Sequence, residues 1–369
     1  MLKTGNPTRR EFLAAGAAGW LAGRALGAPG DFQASARREF ERGGMVYRRL
    51  GQTDMNVSLL SFGSHTDPAD RVPAGQGKTI LTPAGQARRD RIIAHAFDLG
   101  VNLLDVYASE SQWEPAARLV RGRRDKILVS LAHEVTPGDI ELAMKLFGYV
   151  DLYRFAAYAI DQPVLEKWDL LRKAKEAGKI RAIGVSVHTE SLMTMALEEL
   201  EDLDYVILPY NFIQARAGYS QFLPQALHRG VGLIAMKPLA MGSIMKLDPR
   251  ARAGAKPESE NFEFLGQRAG KLLLPAAVAE LTASLSRLPD ETLCMAAMRF
   301  VYSRPFLSAA LTGMFEDRLL EDNYKALSRY WERRPEEQAA LGAAKRLAEL
   351  RGASWLRPEY RWLEEEWHG

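Results

Sequence analysis

A strand directly following a helix is indicated at residues 178–186, which read Gly178-Lys179-Ile180-Arg181-Ala182-Ile183-Gly184-Val185-Ser186. Residues 162–177 before it have a helical pattern, and Gly178 suits the left-handed residue that often ends a helix. The run 182–185 is apolar throughout and does not alternate with polar residues, which is typical of a parallel strand covered on both faces. The stretch therefore predicts one helix–strand unit of an α/β protein.

The same unit recurs along the chain. We predict eight short strands, rich in β-branched residues or Leu, at residues 57–62, 101–106, 127–131, 150–155, 182–185, 205–208, 232–235 and 308–311. Helical patterns lie between them, most clearly at residues 88–99 and 162–177. Eight such units over roughly 270 residues match a closed parallel barrel of about 250 residues better than an open sheet. The predicted fold is therefore a parallel eight-stranded (β/α)8 TIM barrel.

The barrel is predicted to span residues 45–333. Two additions to it are expected: a long polar loop at residues 246–276, between the seventh strand and the seventh helix, and a charged helical extension at residues 334–369. Long loops in such a barrel are often functional. Residues 31–44 are predicted to be a linker, and residues 1–30 to lie outside the fold.

The N-terminal residues resemble a twin-arginine signal peptide. Thr8-Arg9-Arg10-Glu11-Phe12-Leu13 precedes a mildly apolar run at residues 14–28 that is rich in Ala and Gly. An amphipathic helix is the alternative interpretation. The run is short and contains Arg24, whereas a spanning helix needs about 20 mostly apolar residues, so no lasting membrane span is expected. We expect export by the twin-arginine pathway to the periplasm or another extracytoplasmic compartment.

Composition excludes several kinds of partner and cofactor. The chain has 49 basic and 46 acidic residues, a net charge of +3, which gives no electrostatic case for binding nucleic acid. Cys294 is the single cysteine, so an intramolecular disulfide and a cysteine-held iron–sulfur cluster are excluded. A small-molecule substrate is the expected partner.

Several motifs, taken in order, resemble the aldo-keto reductases, a family of NADP-dependent oxidoreductases. Met45-Val46-Tyr47-Arg48-Arg49-Leu50-Gly51 resembles the opening of that family, Gly100-Val101-Asn102-Leu103-Leu104-Asp105 its second strand, and residues 178–186 its fifth. The later matches are Asp151-Leu152-Tyr153, Pro209-Tyr210-Asn211, Ala235-Met236-Lys237-Pro238-Leu239, and Gly313 with Asn323. The resemblance covers residues 45 to about 330 and implies carbonyl reduction with a nicotinamide cofactor.

The resemblance implies an aspartate, a tyrosine, a lysine and a histidine at the carboxyl ends of strands. Asp105 stands at the aspartate position. Tyr107 is either the family's proton-donating tyrosine after a three-residue shortening of the loop, or a packing residue. The lysine and histidine positions hold Ala132 and Ala156. His133 adjoins the lost lysine position and is a second candidate proton donor, because histidine titrates near pH 6.5.

The resemblance also implies a site for NADP or NAD. The cofactor-binding positions are Ser64, Ser186, Tyr210, Asn211, Lys237, Gly313 and Asn323. Met236 replaces the family's stacking aromatic residue. Gly313 and Met314 stand where a basic residue and a serine often hold the 2′-phosphate of NADP, so that phosphate has no evident charge partner. The expected substrate is a small carbonyl compound such as a sugar.

Two groups of residues could replace the missing catalytic side chains. Strand alternation places Arg154 on the inner face, like Asp105, and predicts a buried ion pair between them, with arginine in place of the family's lysine. His65, His133 and His188 each follow a strand and could, with Asp105, bind a divalent metal at the barrel mouth. Three interpretations therefore stay open: an oxidoreductase of the aldo-keto reductase type, a metal-assisted hydrolase or isomerase, and a non-catalytic barrel that binds a ligand or partner.

Overall fold

We describe a computed structural model of the chain, covering residues 39–212, 215–239, 285 and 287–332. The predicted signal peptide at 1–30, the long loop at 246–276 and the extension at 334–369 lie outside the described residues. No helix within the described ranges is long and apolar enough to cross a membrane.

Eight parallel strands close into a barrel, which confirms the predicted fold. In chain order they are β4 (Leu60–Phe62), β7 (Leu103–Tyr107), β8 (Leu128–Ala132), β9 (Val150–Ala156), β10 (Ile180–Ser186), β11 (Tyr205–Pro209), β12 (Gly232–Met236) and β13 (Ala309–Thr312). Each strand pairs with the next in sequence, and β13 pairs with β4. All eight predicted strands are therefore present.

The remaining strands lie outside the barrel. They are β1 (Glu39–Arg42), β2 (Met45–Arg49), β3 (Asn56–Ser58), β5 (Arg71–Gly75) and β6 (Lys78–Leu81). The first three form a small antiparallel sheet, so residues 39–42, which we expected in a linker, are a strand paired with β2. The predicted strand 57–62 is divided in two, because residues 56–58 pair with β2 and residues 60–62 enter the barrel.

Eight α-helices are present in the described part of the chain. They are α1 (Pro83–Asp98), α2 (Trp113–Val120), α3 (Pro137–Phe147), α4 (Gln162–Glu176), α5 (Glu190–Glu199), α6 (Phe222–His228), α7 (Leu293–Tyr302) and α8 (Asp317–Glu332). Side chains cap several of them: Thr82, Thr136 and Thr189 each accept a hydrogen bond from a backbone N–H in the first turn. Gly178 follows α4 with φ +70°, as predicted for the end of that helix.

Two apolar clusters fill the molecule. One lies between the strands and the helices, and the other lies inside the barrel, where Leu50, Met55 and Val57 of the β2–β3 region pack against inward-facing strand residues. Gly184 of β10 faces this interior, where a Cβ would lie 2.7 Å from ring atoms of Tyr205. The absence of a side chain at Gly184 therefore makes room for the Tyr205 ring.

Candidate active site

The carboxyl ends of the strands form the mouth of the barrel, where the active sites of this fold are found. Alternation along the strands turns one residue near each end toward the barrel axis. These inward positions include Tyr107, Ala132, Ala156, Ser186, Met236 and Gly313. Both alanines predicted at the lysine and histidine positions therefore line the mouth.

A buried ion pair lies one layer below this ring of residues, as predicted. The Arg154 guanidinium donates two hydrogen bonds to Asp105, through Nη1 to Oδ1 and through Nη2 to Oδ2, the second at 2.8 Å. Ser130 Oγ donates to Asp105 Oδ1 at 2.6 Å, and Arg154 Nε donates to Ser186 Oγ at 2.8 Å. Asp105 is fully buried and Arg154 is 2% exposed. The carboxylate therefore has three donors, and the arginine also contacts a mouth residue.

The Arg154 guanidinium keeps its positive charge inside the barrel. Burial alone would lower the pKa of Arg154, but the Asp105 carboxylate outweighs this effect and raises it above the ordinary value. The same layer contains the buried Tyr205, whose pKa is raised by burial. A permanent positive charge therefore lies inside the barrel, directly beneath the mouth.

Tyr107, the last residue of β7, is half-buried at the mouth. The Arg154 guanidinium lies 5.7 Å from the centroid of its ring. The His65 ring also meets it edge-on, with 4.9 Å between centroids. Tyr107 is therefore in contact with both a buried guanidinium and an imidazole.

Glu110 organises the loops beside Tyr107. It accepts hydrogen bonds from His65 Nδ1 at 2.8 Å, from the Thr66 backbone N–H at 2.6 Å and from Thr66 Oγ1. Arg71 Nη2 lies 3.2 Å from Glu110 Oε1. Burial alone would raise the pKa of Glu110, but the hydrogen bonds from His65 and Thr66 and the positive charge of Arg71 hold it below the ordinary value. No sequence pattern predicted a role for Glu110 at this site.

A buried arginine supports the same loop from below. Arg89 of α1 donates to the backbone carbonyls of His65 and Ser64, at 3.1 and 3.4 Å. Burial lowers the pKa of Arg89 to about 10, although the Glu110 charge acts in the opposite direction. Ser64, predicted to bind the cofactor, is buried beneath the mouth, and its carbonyl accepts from this arginine.

His133 belongs to a separate group of residues. Its Nε2 lies 3.3 Å from Asp139 Oδ1, and its ring meets the Trp113 ring edge-on at 5.6 Å. Its backbone N–H donates to the carbonyl of Arg154. Nε2 of the His133 ring therefore faces a carboxylate on α3.

His188 and Lys237 form a third group. Lys237 Nζ lies 2.8 Å from His188 Nε2, and the His188 ring stacks on Tyr158 at 6.1 Å. Burial and the neighbouring Lys237 lower the pKa of His188 to about 3, and burial lowers the pKa of Lys237 to about 8. The lysine therefore donates to a neutral imidazole. Asn211 Nδ2 donates to the Lys237 carbonyl at 3.1 Å, where the backbone is left-handed with φ +56°.

The three histidines do not converge. His65, His133 and His188 have Glu110, Asp139 and Lys237 as their respective partners. In the ranges that the structure describes, no group of three or more His, Cys, Asp or Glu side chains could hold a metal ion. The geometry gives no support to the metal-assisted alternative.

The other predicted cofactor residues have different environments. Asn323 on α8 is 2% exposed, and its Nδ2 has no hydrogen-bond partner within the described residues. Gly313 is half-buried, and a Cβ there would lie 3.1 Å from the Phe315 ring. Tyr210 is fully buried, and its ring stacks on Phe300 at 6.0 Å. The structure therefore places the Tyr210 ring in the core between strands and helices, and not at the mouth.

The chain is similar to several characterised proteins. It is 26% identical to a probable voltage-gated potassium channel subunit beta from Arabidopsis thaliana, over 77% of this chain and 91% of that protein. It is 22% identical to L-glyceraldehyde 3-phosphate reductase from Escherichia coli (strain K12), over 78% of this chain and 88% of the enzyme. L-Galactose dehydrogenase from Arabidopsis thaliana is 23% identical, over 76% of this chain and 88% of the enzyme.

Solved structures share the fold. The holo form of an aldo-keto reductase from Bacillus halodurans superposes with a TM-score of 0.61 at 18% identity, over 80% of this chain and 95% of that one. An aldo-keto reductase from Klebsiella pneumoniae, solved in complex with NADPH, superposes with a TM-score of 0.52 at 17% identity, over 76% of this chain and 90% of that one. The family profile described as "Aldo/keto reductase family" matches residues 143–341, more than half of the chain. The chain therefore belongs to the aldo/keto reductase family of oxidoreductases.

Proposed function

We propose that this protein reduces a small carbonyl compound with NADH or NADPH at the mouth of the barrel, and runs the reverse alcohol oxidation when conditions favour it. The observation that carries the proposal is the Asp105–Arg154 ion pair beneath Tyr107. In this chain arginine supplies the buried cation that the family's lysine would otherwise supply. The names of two relatives, a reductase and a dehydrogenase, agree with this reaction class.

Residues at the mouth, together with Asn323 on α8, fit a nicotinamide nucleotide. Ser186 Oγ stands at the end of β10 with its hydroxyl hydrogen left to donate, because it accepts from Arg154. Asn323 offers a buried amide donor without a partner within the described residues, which is costly unless a ligand accepts from it. Met236 presents a half-buried apolar surface on which a ring could lie. A bound nicotinamide would supply the hydride.

Tyr107 is the proposed proton donor. As hydride reaches the carbonyl carbon, negative charge develops on the carbonyl oxygen and must be neutralised by a proton. The Arg154 guanidinium, 5.7 Å from the ring centroid, stabilises the negative charge that forms near Tyr107 during this transfer. Asp105 keeps the guanidinium in place through its two hydrogen bonds. His133 remains the alternative donor, with its Nε2 facing Asp139.

The test begins with cofactor binding. Purified protein would first be analysed for co-purifying nucleotide and then titrated with NADH and NADPH while ligand fluorescence is followed. We expect saturable binding with a Kd on the order of micromolar, the usual range for such ligands. Absence of both bound nucleotide and saturable binding would overturn the proposal.

Turnover with a panel of aldehydes and ketones is the second step. The Tyr107→Phe variant should bind cofactor as the parent does and lose about 10²- to 10⁴-fold in kcat, because an acid–base group is worth that much. Tyr149→Phe is the matched control, since Tyr149 packs under Arg124 away from the mouth. Cofactor binding without turnover of any carbonyl would instead support a barrel that only binds ligands.

We also propose that the protein is exported by the twin-arginine pathway. The supporting observation is the Thr8-Arg9-Arg10-Glu11-Phe12-Leu13 motif before an Ala/Gly-rich run. Cell fractionation of the full chain and of an Arg9→Lys, Arg10→Lys variant tests this. Export of the parent and retention of the variant in the cytoplasm is the expected result, and equal distribution of the two would contradict it.

A further inference from the structure

The His65–Glu110 pair beside Tyr107 has no role in the proposed function so far. His65 has no counterpart among the motifs that carry the family resemblance, whereas Glu110 belongs to the Ala108-Ser109-Glu110 sequence that follows Tyr107. Glu110 is buried, with 8% of its side chain exposed, whereas 61% of the His65 side chain is exposed. An exposed imidazole held by a buried carboxylate is the arrangement that orients a histidine for proton transfer.

The position of Glu110 is fixed independently of His65. The Thr66 backbone N–H and hydroxyl both donate to Glu110 Oε2, and the Arg71 side chain donates to Thr66 Oγ1 at 2.8 Å. The carboxylate therefore keeps its place whatever the protonation state of the imidazole. Because Glu110 engages Nδ1, the other ring nitrogen of His65, Nε2, is the one left for a substrate or for Tyr107.

The other two histidines that follow barrel strands face other partners. His188 is buried, and its pKa is lowered to about 3, so it carries no proton to give near neutral pH. His133 directs its Nε2 to Asp139. His65 is the one of the three whose ring is largely exposed and in contact with Tyr107.

We infer that His65, oriented by Glu110, is a catalytic residue that returns a proton to Tyr107 and hydrogen-bonds the carbonyl oxygen. The inference rests on the proposed function. When the hydride adds to the carbonyl carbon, the electrons of the C=O π bond move to oxygen, which takes the Tyr107 hydroxyl proton. The resulting phenolate takes the Nε2 proton of the His65 imidazolium, and the exposed imidazole regains one from water. Carbonyl, reduced nicotinamide and one proton thus give alcohol and oxidised nicotinamide.

The first test needs no turnover. The protein is labelled with ¹³C,¹⁵N-histidine and titrated with NAD⁺ and NADP⁺, and the His65 ring signals are assigned with His65→Gln. We expect the His65 signals to shift at saturation and those of His228 to remain unchanged. His228 is the matched control because it is also exposed but ends α6, just before the start of β12, at the end of the barrel opposite the mouth. Binding that leaves the His65 signals unmoved would overturn the inference and spare the proposed function.

The second test measures hydride transfer with the carbonyl compound that the parent reduces fastest. His65→Ala should lose about 10²-fold or more in kcat with little change in the Kd for cofactor, and added imidazole should restore at least part of it. Glu110→Gln should lose less kcat than His65→Ala, because the imidazole would still be present and accessible and only its orientation would be lost. His228→Gln, at the opposite end of the barrel, should behave as the parent.

Failure of the two proposals can be told apart. The inference alone is overturned if His65→Ala keeps the parental kcat. It is also overturned if the loss of kcat is accompanied by a loss of thermal stability and is not rescued by imidazole, because His65 would then have a structural role. Absence of any cofactor binding by the parent protein would overturn both proposals together.

Discussion

The Asp105–Arg154 pair is the residue-scale feature on which the site depends. Both side chains are almost wholly removed from water, and each supplies the other's charge partner. Removing one partner of such a pair leaves an uncompensated buried charge, which typically costs about 3–5 kcal/mol. Arg154→Met should therefore lower the free energy of unfolding by about that amount, measured by urea denaturation. Arg172→Met, which removes exposed ion pairs to Asp202 and Glu201, should leave it nearly unchanged.

A double substitution separates stability from catalysis at the same place. Asp105→Leu combined with Arg154→Met removes both charges, so most of the lost stability should return. Hydride transfer should not return with it, because no cation would then lie beneath Tyr107. Recovery of both stability and turnover would show that the pair serves only the fold.

The buried His188 should make the stability of the fold depend on pH. Its pKa in the folded protein is about 3, against an ordinary value of 6.5, because of burial and the nearby Lys237. Between these two values the unfolded chain binds a proton that the folded chain does not, so stability is lost as the pH falls below about 6.5 toward 3. His188→Gln should therefore lose less stability than the parent between pH 7 and pH 5, in urea denaturation at each pH. His95→Gln, as a control, should keep the parental slope.

The site could be predicted from sequence only where a strand carries it. Arg154 and Asp105 could be paired in advance because alternation along β9 and β7 places both inside the barrel. The contact between His65 and Glu110 joins two loops that are 45 residues apart, and no local pattern relates them. Glu110 could have been suspected only from the Ala108-Ser109-Glu110 sequence that follows Tyr107.

At the scale of elements, the beginning of α8 bears on the choice between NADH and NADPH. A helix N-terminus favours anions, and the resemblance places the 2′-phosphate of NADP near Gly313 and Met314. Here the exposed Glu316 precedes the helix, and Asp317 in its first turn is already paired with Arg91 at 2.9 Å. These carboxylates repel a phosphate, and the neighbouring Arg318 is already paired with Asp322 at 3.7 Å.

We therefore predict that the protein binds NADH at least as tightly as NADPH. Glu316→Arg should strengthen NADPH binding by about tenfold, which corresponds to about 1.4 kcal/mol, and leave NADH binding nearly unchanged. Fluorescence titrations of both nucleotides check this. Equal effects on the two nucleotides would mean that residue 316 does not lie near the 2′-phosphate.

The elements themselves were predictable to different degrees. The barrel strands were found because each is apolar throughout and followed by a helical pattern. The hairpin of β5 and β6 was not, because Pro73 and Gly75 both count against a strand, and its register shifts between these two residues. Residues 39–42 were taken for linker because their burial depends on pairing with β2, which a short polar run does not reveal.

At the scale of the whole molecule, Arg48 joins the first described strands to the last barrel unit. Its guanidinium donates to the backbone carbonyls of Tyr302, Arg304 and Leu307, each at 2.7 Å, and to Glu39 at 2.9 Å. The Tyr302 carbonyl belongs to the last residue of α7, and those of Arg304 and Leu307 follow the helix. The Arg48 guanidinium therefore also lies at the negative end of the helix dipole, which a cation stabilises.

Arg48→Met should therefore destabilise the molecule by about 3 kcal/mol or more, because it leaves buried carbonyls without donors. Urea denaturation measures the change. The adjacent Arg49→Met is the matched control, since the Arg49 guanidinium donates within the described residues to the carbonyls of Thr53 and Gln52 in its own turn, and its loss should cost less than about 1 kcal/mol. An equal decrease in the free energy of unfolding for the two variants would contradict this role of Arg48.

The two alanines at the mouth also have a consequence for size. Where the family resemblance places a lysine and an imidazole, Ala132 and Ala156 present only methyl groups. The bulk of two long side chains is absent above the Arg154 charge, and the Tyr107 and His65 rings stand together on one side. We therefore expect the proposed carbonyl substrate to tolerate bulky substituents best on the side of the two alanines.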